Sequence, residues 1–484
     1  MEVRNLEPKA LWNHFADLNA VPRPSKKEER VIAFMMDFGK SLGFETIQDP
    51  IGNVIIKKPA TPGMENRQTI VMQSHLDMVH QKNSDTIFDF DSQGIEMLVD
   101  SDWVRAKGTT LGADNGIGVA AIMAVLKSTD IAHPAIEALF TIDEETGMTG
   151  ALQVDAANIS GTILLNLDTE DDDELSIGCA GGIDTNTKMP IAYENLPANF
   201  SCFEIRLRGL LGGHSGMDIH LGRGNANKWM NRLLRHTSAA VDLKLCSLDG
   251  GSLRNAIPRE STAIVAVSEN DKLTFHEAVN EIIAQIKAEY HSIEKDANWS
   301  VSESSGSDKV VKDSDFERII NAIYAVHNGV YRMSPAIEGL VEASSSLAKV
   351  TVGDGVFTTQ SLQRSSVESS KEDVANTIRA AFESVGAEVV QGGEYPGWEP
   401  NADSAILKVM ANLYREKFHA EPNIKACHAG LECGILGKHF PGMDMISFGP
   451  NIRGAHSPDE CVQVSSVQKF WDYLLEVLTQ IPMK

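Results

Sequence analysis

Short polar motifs at the ends of apolar runs, far apart along the chain, are the feature that most restricts how this sequence can fold. Each contains a histidine or a carboxylate, and they are SHLD (residues 74–77), GADNG (112–116), DEETG (143–147), NLD (166–168) and AHSP (455–458). Strand ends gather polar side chains at one edge of an α/β sheet. If His456 belongs with the motifs before residue 170, the N- and C-terminal segments form one domain and the middle of the chain is inserted into it.

The apolar patterns support this division. Nearly continuous apolar runs at residues 135–142 and 162–167 are typical of strands covered on both faces, whereas a strict alternation after residue 199 indicates a strand with one face in water. We predict an α/β fold, in which a three-layer αβα catalytic domain with a mixed sheet (residues 1–186 and 401–484) is interrupted by an inserted α+β lid domain (residues 187–400). A polar stretch at residues 300–315 is interpreted as a linker between two related halves of the insert.

A helix is also predicted near the N-terminus of the chain. Ser25 and Glu28 have the spacing of a capping box, and apolar residues recur at helical spacing from there to Gly43. The predicted helix therefore starts at Ser25 and ends at the glycine.

The motifs together favour a site for two metal ions. His75, His456, Asp114, Asp168 and one acid of the pair Glu144 and Glu145 form a set that suits divalent ions, above all zinc, with manganese or cobalt as alternatives. The neighbouring acids, among them Asp77, are candidates for proton transfer. Alone, each motif is weak, because Asp-Asn-Gly is more often a plain turn and an acidic loop is usually only solvated.

Ten motifs in order carry a family resemblance over essentially the whole length. They are SHLDMV, GTTLGADNG, DEETGMTGA, NLDTED, GCAGG, GGHSG, NAIPRE, YPGW, CHAGLECG and GAHSPDE. With them the chain resembles the di-zinc exopeptidase family that includes carboxypeptidase G-type enzymes, tripeptidase T-type aminopeptidases and carnosine dipeptidases, and within it the bacterial aminoacyl-histidine (Xaa-His) dipeptidases.

The resemblance implies a role for each matching position. Asp114 would bridge the two metals, Glu145 and His456 would complete one coordination shell, and His75 and Asp168 the other. Asp77 would orient His75, while Glu144 would act as the general base for a metal-bound hydroxide that attacks the peptide bond of an unblocked dipeptide, with Xaa-His (carnosine-like) substrates expected.

Further residues of the insert are expected to bind substrate. His214 lies in the glycine loop GGHSG and would help to hold the oxyanion, Asn255 would hydrogen-bond the substrate, and Arg364 would clamp a free carboxylate. A solvent-facing strand arginine is an equally good interpretation of Arg364. Two alternatives to a dipeptidase stay open, namely a di-zinc deacylase or amidohydrolase of N-acyl amino acids and a non-catalytic binding relative.

Charge and composition exclude several partners. The chain has 43 Lys and Arg against 67 Asp and Glu, a net charge of −24, which disfavours nucleic acid and anionic membranes. With no signal-like segment and no CxxC pair among its six cysteines, the protein is predicted to be cytoplasmic. Relatives with a smaller insert dimerise through it, so the resemblance also implies a homodimer, although two halves of the larger insert here would mimic one.

Overall fold

The computed structural model describes residues 2–335 and 337–484. The α-helices in chain order are α1 (Lys9–Asn19), α2 (Glu29–Ser41), α3 (Ala113–Lys127), α4 (Glu144–Gly147), α5 (Thr149–Leu152), α6 (Ala226–Ala240), α7 (Lys272–Glu289), α8 (Asp313–Ala325), α9 (Glu368–Glu383), α10 (Ala405–Phe418), α11 (Glu432–His439) and α12 (Val464–Gln480). In the described part of the chain, none of the helices is both long and apolar enough to cross a membrane.

The described residues also form twenty-three β-strands. They are β1 (Glu45–Gln48), β2 (Val54–Lys58), β3 (Ile70–His75), β4 (Met97–Asp100), β5 (Trp103–Ala106), β6 (Ile136–Thr141), β7 (Ile163–Asn166), β8 (Glu174–Cys179), β9 (Gly181–Pro190), β10 (Tyr193–Asn195), β11 (Phe200–Arg208), β12 (Lys244–Gly250), β13 (Ser261–Ser268), β14 (Asn298–Glu303), β15 (Lys309–Val311), β16 (Gly329–Met333), β17 (Val341–Gly353), β18 (Val356–Ser365), β19 (Glu388–Tyr395), β20 (Asn423–Cys427), β21 (Asp444–Ser447), β22 (Ile452–Arg453) and β23 (Cys461–Gln463).

The chain forms two compact units. The first contains the segments up to Cys179, Trp398–Ala426 and Leu431–Lys484, and the second contains Ala180–Gly397 and Cys427–Gly430. The domain boundaries predicted after residues 186 and 400 remain a prediction.

The first unit is built on a mixed eight-stranded sheet in the order β1-β2-β6-β3-β7-β21-β8-β20. Its central strands β6, β3, β7 and β21 are parallel, while β1, β2 and β8 pair antiparallel. Every residue of β3, β6 and β7 is buried, as expected for strands covered on both faces. The predicted α/β class with a mixed sheet is confirmed, and the parallel strands end at a common edge.

Helix α3 packs against this sheet through small residues. A β-carbon on Gly118 would lie 2.7 Å from the carbonyl oxygen of Leu167 and 2.5 Å from the hydroxyl of Ser74. Only glycine therefore allows the helix to approach the strand ends so closely. The approach brings the start of α3, where Asp114 lies, to the carboxyl edge of the sheet.

A separate four-stranded sheet positions the C-terminal motif. Its order is β22-β23-β5-β4, in which β22 and β23 form an antiparallel hairpin with Arg453 opposite Cys461. The connection between these two strands, residues 454–460, carries His456. Because β23 also pairs with β5 from the N-terminal segment, the hairpin returns His456 to the fold formed before residue 170.

The second unit contains a largely antiparallel sheet in the order β14-β11-β13-β12-β17-β18-β9-β19, with β16 added beside β17. The alternation predicted after residue 199 is present in β11, where Phe203, Ile205 and Leu207 are buried and Arg208 is exposed. These side chains belong to a core shared with α6, α7, α8 and α9, including Trp229, Phe275, Phe316 and Phe382.

Two local predictions are wrong. Residues 300–315 are not a linker, because they contain part of β14, all of β15 and the start of α8. The capping box is also absent: α2 begins at Glu29, and the Ser25 hydroxyl donates instead to Asp77 at 2.8 Å. A long-range acceptor therefore competes successfully with the local cap.

Candidate metal centre

The five predicted metal ligands come from separate segments of the first unit. His75 is the last residue of β3, Glu145 lies in the single turn α4 after β6, and Asp168 follows β7. Asp114 lies at the start of α3, where the chain departs from helical backbone angles, and His456 lies in the β22–β23 connection with φ +65°. The structure brings the side chains of all five together.

Asp114 stands between two histidine–carboxylate pairs. Its Oδ1 is 3.1 Å from Nε2 of His75, and its Oδ2 is 3.2 Å from Nε2 of His456. His75 Nε2 lies 3.7 Å from Oδ1 of Asp168, and His456 Nε2 lies 3.0 Å from Oε2 of Glu145. One carboxylate thus faces two separate groups of nitrogen and oxygen donors.

The acids at this site crowd one another. Burial raises the pKa of Glu144 and of Asp168 well above the ordinary carboxyl value, and the negative charge of Asp114 adds to both shifts. The pKa of Asp114 is lowered despite its burial, because it accepts hydrogen bonds from His456 and His75. Hydrogen bonds to Asp114 and Glu145 raise the pKa of His456 to about 11. The carboxylates of the site therefore stabilise a positively charged group that lies between them.

A divalent metal fits these residues. Ligand atoms of His75, Asp114 and Glu145 all lie within 4.8 Å of one another. Oδ1 of Asp168 is buried and has no hydrogen-bond partner within the described residues. Imidazole and carboxylate donors suit zinc, and an unpartnered buried carboxylate oxygen is costly unless a cation lies beside it.

Asp77 is held in place by the turn that carries Glu144 and Glu145. Its side chain is fully buried, and it accepts hydrogen bonds from the backbone N–H of Glu144 (3.0 Å), the backbone N–H of Glu145 (3.2 Å) and the hydroxyl of Ser25. Its Oδ1 lies 3.4 Å from Nδ1 of His75. Glu144 and Glu145 lie in the same helical turn, α4.

A second acidic cluster adjoins this turn but has its own donors. Glu28, Asp77 and Asp143 are buried with carboxylate oxygens within 4.8 Å of one another. Glu28 accepts from the backbone N–H of Asp143 at 3.1 Å, and Asp143 forms an ion pair with Lys26. We therefore interpret this cluster as support for the Asp77 turn.

The comparisons with known proteins decide the family. Residues 71–480 match the model of peptidase family M20/M25/M40. The chain belongs to this family. It is 42% identical, over the full length of both chains, to the cytosol non-specific dipeptidase of Escherichia coli (strain K12).

Solved structures agree with this membership. The aminoacylhistidine dipeptidase of Vibrio alginolyticus matches with a TM-score of 0.95 and 45% identity, covering 100% of this chain and 99% of that one. The aminopeptidase PepT of Bacillus cereus matches with a TM-score of 0.57 at 16% identity, over 98% of this chain and 99% of that chain, and shows a shared fold. The fold of this M20 peptidase thus agrees with the family resemblance that its sequence motifs indicated.

The predicted substrate-binding residues of this M20 peptidase lie in the second unit. Nδ1 of His214 accepts from the backbone N–H of Gly216 (3.2 Å) and of Met217 (3.0 Å), which leaves its proton on Nε2. Burial and the charge of Arg364 lower the pKa of His214 to about 4, so the imidazole is a neutral donor. Asn255 is exposed, and its backbone carbonyl oxygen accepts from the backbone N–H of Ser215.

Arg364 is buried, which rules out the solvent-facing interpretation. Its Nη1 donates to the hydroxyl of Tyr395 at 2.7 Å, while its Nη2 lies 3.4 Å from the protonated Nε2 of His214, a contact between two N–H groups rather than a hydrogen bond. Its Nε is buried without a hydrogen-bond partner among the described residues. The guanidinium is therefore oriented and retains donor capacity.

Sequence reasoning missed three buried charges of the first unit. Glu432 accepts from Gln73 and from Thr141, both at 2.7 Å, and burial raises its pKa to about 7. Glu460 and Arg23 contact the turn before Asp114. Gln73 is a polar residue within the apolar run of β3, and this was a signal that it has a buried polar partner, which is Glu432. Glu460 lies inside the recognised motif GAHSPDE but received no role.

Proposed function

We propose that this chain is a metal-dependent dipeptidase that hydrolyses unblocked dipeptides, with Xaa-His sequences among its substrates. The observation that carries the proposal is the position of Asp114 between the pairs His75–Asp168 and His456–Glu145. The full-length relatives named as dipeptidases support the substrate class. We also propose a cytoplasmic location, which the name of the Escherichia coli relative supports.

Two divalent ions, which we infer to be zinc, would share Asp114. Glu145 and His456 would complete the ligands of one ion, and His75 and Asp168 those of the other. Bound there, the ions would lower the pKa of an attacking water and polarise the scissile carbonyl.

The remaining acids have separate tasks. Glu144 takes the proton from the attacking water and returns it to the amine of the leaving amino acid. Asp77 orients the imidazole of His75 and fixes the turn that carries Glu144. We assign the Nε2–H of His214 to the substrate oxyanion, Asn255 to a substrate hydrogen bond and Arg364 to the free carboxylate.

A substrate panel tests the proposal. Purified protein would be stripped with a chelator, restored with zinc and assayed on carnosine, Leu-His, Leu-Gly, Gly-Gly-His and N-acetyl-His. Zinc-dependent cleavage of the free dipeptides alone is expected. Cleavage of N-acetyl-His alone, or of no compound while zinc is bound, would contradict the proposal. Equal rates on Leu-His and Leu-Gly would remove any preference for Xaa-His and leave the dipeptidase activity.

A further inference from the structure

A buried carboxylate accepts hydrogen bonds from the backbone turn that carries Asp114. Oε2 of Glu460 accepts from the N–H groups of Leu111 (2.7 Å) and Gly112 (2.9 Å), and Oε1 accepts from those of Ala113 (2.7 Å) and Asp114 (3.2 Å). The residue is only 2% exposed. Four consecutive N–H groups directed at one anion hold the turn in a single conformation.

A buried guanidinium donates a hydrogen bond to a backbone carbonyl of the same turn. Arg23 is 1% exposed, and its Nη2 donates to the carbonyl oxygen of Gly112 at 2.6 Å. Its Nη1 donates to the carbonyl oxygens of Leu76 and Asp77, both at 3.0 Å. Arg23 thus ties the Asp114 turn to the end of the strand that delivers His75.

The glycine of the turn is required by this arrangement. Gly112 has φ +69°, a left-handed conformation that other residues rarely adopt, and a β-carbon there would lie 2.5 Å from Nη2 of Arg23. The turn and the arginine therefore fit each other only when this position carries no side chain.

Each charged residue connects Asp114 to a different histidine. Glu460 lies on the same β22–β23 connection as His456, and its backbone N–H donates to the carbonyl oxygen of Ser457. Arg23 contacts the carbonyl of Leu76, which directly follows His75. Burying two charges costs free energy that an apolar pair would avoid, so we interpret Glu460 and Arg23 as having a task other than stability.

We propose that Glu460 and Arg23 are positioning residues that set the distances from Asp114 to His456 and His75, respectively. The proposal rests on the assignment of Asp114 as the shared metal ligand. Partners that orient metal ligands typically change metal affinity on the order of 10- to 100-fold when they are removed. Loss of Glu460 should therefore weaken mainly the ion held by His456 and Glu145.

The test measures zinc binding to metal-free Glu460→Gln protein by competition with a chromophoric chelator. Glu137→Gln is the matched control, because Glu137 is a buried acid of the same unit that accepts from the backbone N–H groups of Ser160 and Gly161, both at 2.8 Å. We expect one of two zinc affinities to fall on the order of 10- to 100-fold in E460Q. In E137Q both should stay at the wild-type value.

A second readout separates positioning from general destabilisation. Cobalt would replace zinc, and its visible absorption bands, which report coordination geometry, should change in E460Q and Arg23→Lys but not in E137Q. If E460Q does not fold, Glu460→Asp, which keeps the charge at a shorter reach, takes its place and should show a smaller change of the same kind.

The outcomes distinguish this proposal from the one on which it rests. Wild-type zinc affinities and cobalt bands in E460Q, or equal losses in E137Q, would overturn the positioning role. If Asp114→Asn also keeps both zinc affinities, the metal site itself has been assigned wrongly. Loss in Asp114→Asn without loss in E460Q would overturn the positioning role alone.

Discussion

The backbone N–H of Glu144 donates to Oδ1 of Asp77 at 3.0 Å, so that the inferred general base and the acid beside His75 are parts of one hydrogen-bonded turn. Asp77 lies two residues after the end of β3 and Glu144 three residues after the end of β6, which pairs with β3 in parallel. The ends of two neighbouring strands thus fix the position of Glu144, the inferred general base, relative to Asp77, which lies beside His75.

Replacing Glu144 by Gln should abolish proton transfer and leave metal binding intact. General-base catalysis contributes roughly 10²- to 10⁴-fold, so kcat for Leu-His should fall by about that factor. Zinc content, measured by elemental analysis after dialysis, should equal that of the wild-type protein. A variant with nearly full kcat would show that another group takes the proton.

Asp77→Asn should lower zinc affinity as well as kcat. The amide places an N–H₂ group where Asp77 now accepts from backbone N–H groups and faces His75. We expect a loss of about 10- to 100-fold in zinc affinity. Asp49→Asn is the control, since Asp49 is also buried and accepts from the N–H groups of Gly52 and Asn53. Equal zinc loss in both variants would count against a role specific to Asp77.

His14 should make the metal-free protein less stable in mild acid. Burial, with the charge of Lys127 adding, lowers its pKa from 6.5 to about 4. Between these values the unfolded chain binds a proton that the folded chain does not, so the free energy of unfolding falls as pH falls. From pH 7.5 to 5.0 the loss is about 2 kcal/mol.

Denaturant unfolding of the metal-free protein at these two pH values measures this effect. His14→Leu should remove the His14 share of the pH dependence, whereas His291→Gln, at an exposed position, should retain it. The same pH dependence in His14→Leu as in the wild-type protein would refute the assignment.

Arg364→Lys should weaken substrate binding more than turnover. A lysine cannot reproduce the planar guanidinium fork that donates to the hydroxyl of Tyr395. We expect KM for Leu-His to rise about tenfold or more, because a charged hydrogen bond is worth roughly 1.5–3 kcal/mol. Arg232→Lys, which changes a surface arginine paired with Glu289, is the control. An unchanged KM in Arg364→Lys would remove Arg364 from substrate binding.

The sequence predicted what depends on local pattern. The apolar runs before His75, Glu145 and Asp168 identified buried strands, and parallel strands end at one edge, which predicted where these side chains meet. The family motifs supplied the roles. The structure adds the distances from Asp114 to both histidines.

What the sequence could not predict depends on contacts between distant segments. Ser25 fits a local cap, yet its hydroxyl bonds to Asp77, so the capping box failed. Strand β14 looked like a linker because it is an edge strand, in which only Trp299 and Val301 turn towards the core. Glu460 accepts hydrogen bonds from backbone N–H groups, and because every residue except proline has such a group, the sequence does not show which ones it contacts.

Titration of metal-free protein with zinc, followed simultaneously by bound metal and by hydrolysis of Leu-His, tests the central claim most directly. Sharing of Asp114 by two ions predicts that activity reaches its plateau at two zinc ions per chain and that Asp114→Asn binds fewer and stays inactive. Full activity without bound metal or at one ion per chain, or wild-type binding by Asp114→Asn, would contradict it.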